Sequence, residues 1–251
     1  RVGAFKRAFA QYDFRDKVVC EAGVGHLALT QYYLPYVRKA YLIENNPALR
    51  AYIKNYLQEK GWAHKVELLI GDARTVSLPE PIDCLIAEMM SIWAINEHQV
   101  PVFQHLRKFL KTGGQLFPER IINTVQLARA EFEMGHLHYP INFTRHLPEE
   151  ISLPVITQDI DLYTEHATDV TITTALTPHL SGQVNALYLR SAVQLAQGYN
   201  FTGTDSLMPP TVYRLEKELS VSAGKSVNLS GAFTYGTSLE DAQFKLTFRQ
   251  P

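Results

Sequence analysis

Only two cysteines occur among the 251 residues, too few for a disulfide framework. Cys20 and Cys84 each sit inside a short apolar run, so both read as free thiols of buried strands. The nine histidines are scattered singly, without the paired spacing with cysteine or carboxylate that a zinc site needs, and no metal is expected. Charge of one sign is also lacking. The formal net charge is -1 with 20% charged residues, which leaves no basic field to draw the chain to nucleic acid or anionic lipid. No apolar run reaches the roughly 18 residues of a membrane span, and no signal-peptide pattern opens the chain. A reducing, cytoplasmic setting fits these absences. What is plentiful is apolar material, 46% of the chain, enough for one large domain or two modest ones.

Two halves follow different periods. Up to about Glu119 strand-like and helix-like patterns alternate. Lys17–Cys20, Lys39–Ile43, Val66–Ile70 and Ile82–Ala87 read as short buried strands. Between them, helices are expected over about Leu27–Leu34, Pro47–Lys60 and His98–Leu110, the last broken by Gly113-Gly114. That alternation predicts an α/β fold with a parallel sheet covered on both faces. After Pro118 the segments Ile121–Phe132, Asp169–Leu176, Leu187–Leu195, Thr211–Val221 and Gln243–Phe248 favour alternation or β-branched residues, with turns at Ala223-Gly224-Lys225 and Tyr235-Gly236-Thr237. This half reads as antiparallel β, a barrel or a sandwich. The reading divides the chain into a Rossmann-like domain over 1–117 and a β-barrel domain over 118–251.

The first strand runs into Glu21-x-Gly23-x-Gly25, a turn whose glycines let a nucleotide approach the backbone. Gly23-x-Gly25-x-x-Ala28 also satisfies the dinucleotide fingerprint, and Glu44 lies where a ribose-binding acid belongs. Glu21 argues against a diphosphate, which a carboxylate would repel. It favours the aminoacyl ammonium of S-adenosylmethionine, so that cofactor stands ahead of NAD. On this reading Glu44 accepts from both ribose hydroxyls. Asp72 reaches the adenine amine with Ala73 offering backbone, although a turn aspartate after Gly71 is an equally good account of Asp72.

The fourth strand delivers Glu88, and Glu97 follows nine positions later. Alone, such a pair is more often a solvated acidic loop. Placed after a nucleotide-type turn, two carboxylates suit the planar, bidentate guanidinium, and the loop points to methylation of an arginine-like nitrogen.

At these residues the sequence resembles the protein arginine methyltransferase family. Phe14 to Gly25 is similar to the family's first motif, Tyr41-Leu-Ile-Glu44 to its second, and Ile82 to Glu97 to its double-glutamate loop with the same interval. Phe109 to Pro118 resembles the passage into the family's β-barrel, and Asp161-Leu-Tyr-Thr164 and Thr211 to Gly224 resemble barrel segments. The resemblance implies transfer of a methyl group from S-adenosylmethionine to a guanidinium nitrogen, with Glu88 and Glu97 catalytic and Glu21, Gly23, Gly25, Glu44, Asp72 and Ala73 binding the cofactor. It also implies a protein or peptide arginine substrate and a homodimer.

Several features depart from the family. Its Thr-His-Trp loop aligns with Ser206-Leu207-Met208, the stretch between Glu131 and Pro154 is shorter than its dimerisation arm, and its tyrosine-rich N-terminal helix is largely missing, so a segment upstream of Arg1 is expected. Arg1 falls about two residues short of the family's carboxylate-binding arginine, and Arg74 stands where an acidic adenine contact is common. Two alternatives follow: a methyltransferase acting on nitrogen or oxygen of a small, cationic molecule, or a non-catalytic cofactor-binding scaffold.

Overall fold

The computed structural model describes residues 1–133, 135–143, 147–203 and 208–248. Five strands make the first sheet: β1 (Val18–Ala22), β2 (Lys39–Glu44), β3 (Val66–Ile70), β4 (Ile82–Ala87) and β5 (Leu110–Phe117). They are all parallel, in the order β3-β2-β1-β4-β5. Three α-helices accompany them: α1 (Val2–Phe9), α2 (Arg50–Glu59) and α3 (Gln99–Leu106). Strands β1 and β4 are uninterrupted apolar runs apart from Glu21 and Asp83, as befits strands buried on both faces. The order reverses between β1 and β4. Ligands of open α/β sheets bind outside the carboxyl ends of the strands at that point, and Glu21 and Glu88 both lie there.

Strand β5 ends at Phe117 and the antiparallel region begins at β6 (Arg120–Arg129). It continues through β7 (His138–Pro140), β8 (Glu149–Glu150), β9 (Val155–Asp161), β10 (Asp169–Leu176), β11 (Gly182–Ala196), β12 (Tyr199–Thr202), β13 (Thr211–Val221), β14 (Val227–Thr234) and β15 (Gln243–Phe248). One sheet runs β7-β13-β11-β6-β8, with β9 also on β6 and β12 on β11; a second runs β10-β14-β15. A single apolar core joins both sheets to the parallel sheet. Helix α1 sits at the junction: Phe5 meets Phe201 of β12, and Phe9 packs edge-on against Phe117 of β5.

Two expectations need correcting. The helix expected over Leu27–Leu34 is a run of turns with one 3-10 segment, Thr30–Tyr32. Leu27 has φ 63° and Leu34 precedes Pro35, so both ends of the segment are held out of α geometry. Gly113-Gly114 does not break a helix; both lie inside β5. A side chain at Gly114 would collide with Leu110, at 2.6 Å from its Cδ1, so the strand needs glycine there. Both cysteines are free and buried, as expected. Among the described residues no helix is long and apolar enough to cross a membrane.

Candidate active site

The glycine turn is held by its neighbours. Gly23 and Val24 donate backbone N–H groups to the Ile43 carbonyl of β2 at 2.9 and 3.3 Å. Gly23 and Gly25 take φ of 73° and 50°, where glycine is at ease. A side chain on Gly25 would meet nothing within 4 Å, so this side of the turn stands open. One on Gly23 would press on Met89 Cγ at 3.2 Å. The glutamate loop therefore lies against the turn.

Glu44 caps this arrangement. Its Oε2 accepts from Gly25 N at 2.9 Å and its Oε1 from Asn46 N at 2.8 Å. Each carboxylate oxygen keeps a second lone pair for a ligand hydroxyl. Glu21, on β1, is only 3% exposed. Its Oε2 accepts from the Thr30 and Tyr33 hydroxyls, each at 2.6 Å. Burial pushes the Glu21 carboxyl up to about 7 against those two hydrogen bonds, and the charge of Glu88 adds to the rise.

Asp72 is differently placed. Arg74 grips both of its oxygens, with Nη2 at 2.6 Å from Oδ2 and Nε at 3.0 Å from each, and the Arg74 backbone N–H donates to Oδ1. These bonds hold the Asp72 carboxyl down at about 2. The Asp72 carbonyl also accepts from Thr75 and Val76 N–H, so a turn role is present at this residue. Ala73 beside it is buried.

Glu88 follows β4 and shares a cavity of about 320 Å³ with Glu97. Met89, Met90 and Ile92 supply apolar walls, and His138, Pro140 and Pro209 close the side towards the antiparallel region. Arg1 Nη1 lies 2.8 Å from Glu88 Oε1, both side chains being 17% exposed. The contact is ionic rather than directional, because Oε1 is buried and has no hydrogen-bond partner. Burial pushes Glu88 up to about 7, opposed by Arg1 and by the Met90 N–H and reinforced by the charge of Glu97. Glu97 itself is exposed. Two carboxylates thus border one hollow, one deep and one at the rim.

The loop between them is fastened at three places. Fully buried Gln99 ties its ends, accepting from Met89 N at 2.8 Å and donating to the Ala87 carbonyl at 3.0 Å. Trp93 and Ala94 both adopt left-handed backbone, φ 54° and 58°, conformations that persist only where the surroundings enforce them. The enforcement comes from across the molecule: Trp93 N donates to Ser191 Oγ at 2.9 Å, and its indole Nε1 donates to the Thr124 carbonyl at 3.1 Å. The ring packs against Phe233 and Phe244. At the loop's far end Gly236 N donates to the Ile95 carbonyl at 2.6 Å.

Of the residues singled out in the sequence, Glu88 and Glu97 meet at the cavity, and Glu21, Gly23, Gly25 and Glu44 gather at the adjoining strand ends. Asp72 and Ala73 lie past β3, with the Asp72 carboxylate turned to Arg74. Sequence reasoning missed Gln99, Trp93, Thr30, Tyr33 and His138. Only Gln99 carried a signal, a polar residue on the apolar face of a helix. The position aligned with the family's Thr-His-Trp loop includes Ser206 and Leu207, which lie outside the described residues; Met208 is buried.

Residues 18–117 match the family model described as PRMT5 arginine-N-methyltransferase. An uncharacterized protein of Methanocaldococcus jannaschii is 29% identical over 98% of this chain and 92% of its own length. The histone-arginine methyltransferase CARMER of Drosophila ananassae is 30% identical over 47% of this chain, and the match spans 23% of that protein. Among solved structures, the Trypanosoma brucei PRMT1 enzyme-prozyme complex with AdoHcy superposes with TM-score 0.77 at 14% identity, covering 98% of this chain and 93% of the other. Arabidopsis thaliana protein arginine methyltransferase 10 superposes with TM-score 0.77 at 16% identity, covering 99% and 95%. Residues 18–117 are thus similar to the arginine-N-methyltransferase family model, and the chain shares the fold of the two protein arginine methyltransferase structures along almost its whole length.

Proposed function

We propose that the protein is an S-adenosylmethionine-dependent methyltransferase acting on a guanidinium-type nitrogen. The observation that carries this reading is the pairing of Glu88 and Glu97 on one cavity that abuts the glycine turn through Met89. S-adenosylmethionine, when bound, supplies an electrophilic methyl group on a positively charged sulfur. The donor set fits it: a buried carboxylate at Glu21 for the ammonium, Glu44 at a strand end for ribose hydroxyls, and a turn without side chains beside them. No group in this set suits a diphosphate. Residues 1–117 form the cofactor-binding domain on this reading, and 118–251 the wall on the substrate side.

Bringing a cationic cofactor and a guanidinium together costs electrostatic repulsion, which the three carboxylates Glu21, Glu88 and Glu97 offset. Glu88 and Glu97 hold two guanidinium nitrogens through charge-assisted hydrogen bonds and draw the delocalised charge towards them. The third nitrogen is left with more electron density, and orientation supplies much of the remaining rate. Burial raises the proton affinity of Glu88 even against the Arg1 guanidinium already beside it, so an incoming guanidinium shares or displaces that contact. The apolar Met89, Met90 and Ile92 suit a substrate with an aliphatic stem behind its cationic head.

The substrate is proposed to be arginine in a protein or peptide. The test is incubation with methyl-labelled S-adenosylmethionine and a lysate separated into protein and small-molecule fractions. Label in protein, released as methylarginine on hydrolysis, supports the reading. Label confined to small molecules would transfer the proposal to a small cationic substrate, for which His138, Pro140 and Pro209 would form the specificity wall. No label in either fraction, with cofactor bound, would favour a scaffold.

A further inference from the structure

We infer that Thr30 and Tyr33 are positioning residues for Glu21, favouring its charged form and aiming its carboxylate for the ammonium of an aminoacyl cofactor. The inference rests on the cofactor reading above and adds two residues to it. They reach Glu21 through an irregular piece of backbone. After the glycine turn Leu27 enters the left-handed region, and a 3-10 turn over Thr30–Tyr32 follows in place of a helix. Residues three apart in such a turn face the same side, so Thr30 and Tyr33 both point at β1. Both are fully buried. The Tyr33 ring is wedged edge-on against Phe9 and tilted over Phe14, which fixes its hydroxyl in place.

The two hydroxyls converge on one oxygen, Oε2, at 2.6 Å each. That leaves Oε1 as the oxygen they do not occupy, and it fixes the plane of the carboxylate. Hydroxyl donors stabilise the charged form of a carboxyl, whereas burial and neighbouring negative charge favour the neutral form. The groups facing Glu21 are few. Thr30 and Tyr33 donate from the turn, Glu88 opposes from the end of β4, and the thiols of Cys20 on its own strand and Cys84 on β4 stay protonated because burial raises them. Tyr33 likewise keeps its proton, since burial and the Glu21 charge raise its pKa well above the ordinary value. Without the two hydroxyls the balance at Glu21 tips to the neutral acid, which binds an ammonium poorly.

The test compares two ligands by calorimetric titration between about pH 5.5 and about 8.5. S-adenosylhomocysteine keeps the ammonium; 5′-methylthioadenosine has the same adenosine without the aminoacyl arm. Tyr33→Phe and Thr30→Val are each expected to weaken S-adenosylhomocysteine about tenfold near neutrality, the scale of a lost hydrogen bond to a charged group. The rise of affinity with pH should move to higher pH in both. Binding of 5′-methylthioadenosine should be unchanged. Thr30→Ser, which keeps the hydroxyl, should behave as wild type and serves if Tyr33→Phe fails to fold. Equal weakening of both ligands, or no change in either, would overturn the positioning role while leaving the cofactor reading intact. Failure of S-adenosylhomocysteine to bind the wild-type protein would overturn both.

Discussion

The acids on the floor of the site and those on the surface are pushed in opposite directions. Glu21 and Glu88, side by side at the ends of β1 and β4, are raised to about 7, chiefly by burial. Asp72 and Asp13 are held near 2, each by an arginine two residues along the chain, Arg74 and Arg15. The surface acids have found their cations within the chain, so they are structural pairs of small net worth. On the floor Glu21 has the Thr30 and Tyr33 hydroxyls, and Glu88 has the Met90 N–H and the Arg1 guanidinium at 2.8 Å from an oxygen left without a hydrogen bond. Buried negative charge is costly unless it is paired, as that of Glu88 is in part by Arg1. The contrast separates acids paired at the surface from acids buried at the strand ends, the ones proposed to meet a ligand.

The largest expected effect lies at the loop. Glu88→Gln should lower methyl transfer by about 100- to 1,000-fold, the usual loss when an electrostatic contact at the reacting group is removed. Cofactor affinity, read by titration, should stay within a few-fold of wild type. Glu97→Gln should follow the same pattern more mildly, since its carboxylate is exposed. Transfer that survives both substitutions would make the pair a solvated loop.

Next in size is Glu44→Ala, expected to weaken S-adenosylmethionine by roughly 2 kcal/mol, the scale of charge-assisted hydrogen bonds. The change also strips the Gly25 and Asn46 amides of their acceptor, so the unfolding temperature without ligand should fall slightly. An unchanged affinity would remove Glu44 from the cofactor site.

The pH dependence of stability follows from the same contrast. Folded Glu21 and Glu88 bind their protons more tightly than the unfolded chain, whose carboxyls titrate near 4.5. Their contribution is therefore fully present below about pH 4.5 and is lost as pH rises through about 7. Asp13 and Asp72 have the opposite sign: their contribution is present above about 3.8 and lost as pH falls through about 2. The ligand-free melting temperature should accordingly decline between about pH 5 and 7, and less steeply in Glu88→Gln. A flat profile would show the buried pair to be fully compensated.

The smallest effect is expected at Asp72. Its carboxylate is engaged by Arg74, so Asp72→Asn should cost only a few-fold in cofactor affinity. A loss as large as that of Glu44→Ala would mean that the aspartate leaves Arg74 to meet the adenine.

Much of the architecture was legible in the chain because apolar runs and turn residues agree locally. The strands Val66–Ile70, Ile82–Ala87, Asp169–Leu176, Thr211–Val221 and Gln243–Phe248 stand where their patterns placed them. Strand β14 was not legible: Gly231 and the polar Asn228 and Ser230 weaken its pattern. Yet a side chain at Gly231 would strike Phe244 of β15 at 2.7 Å and Ile172 of β10 at 2.9 Å, so the strand needs glycine between its neighbours. In the site, local motifs brought Glu21, Gly23, Gly25, Glu44, Glu88 and Glu97 into view. The supports of the glutamate loop were hidden because they are tertiary. Ser191 bonds Trp93 from 98 positions away and passes the contact to Asn123 at 2.7 Å, and no spacing rule connects such residues. The sequence left Asp72 open between a turn role and an adenine contact, and its pairing with Arg74 depends on side-chain geometry that no motif encodes.

Proton release on ligand binding addresses the central claim, that the buried glutamates are kept for a cationic ligand. S-adenosylhomocysteine would be titrated at about pH 7 in two buffers of different ionisation enthalpy. An ammonium seated on Glu21 should expel its proton, giving about half a proton released per ligand and none in Glu21→Gln. Binding with no net proton release, equal in wild type and Glu21→Gln, would contradict the account.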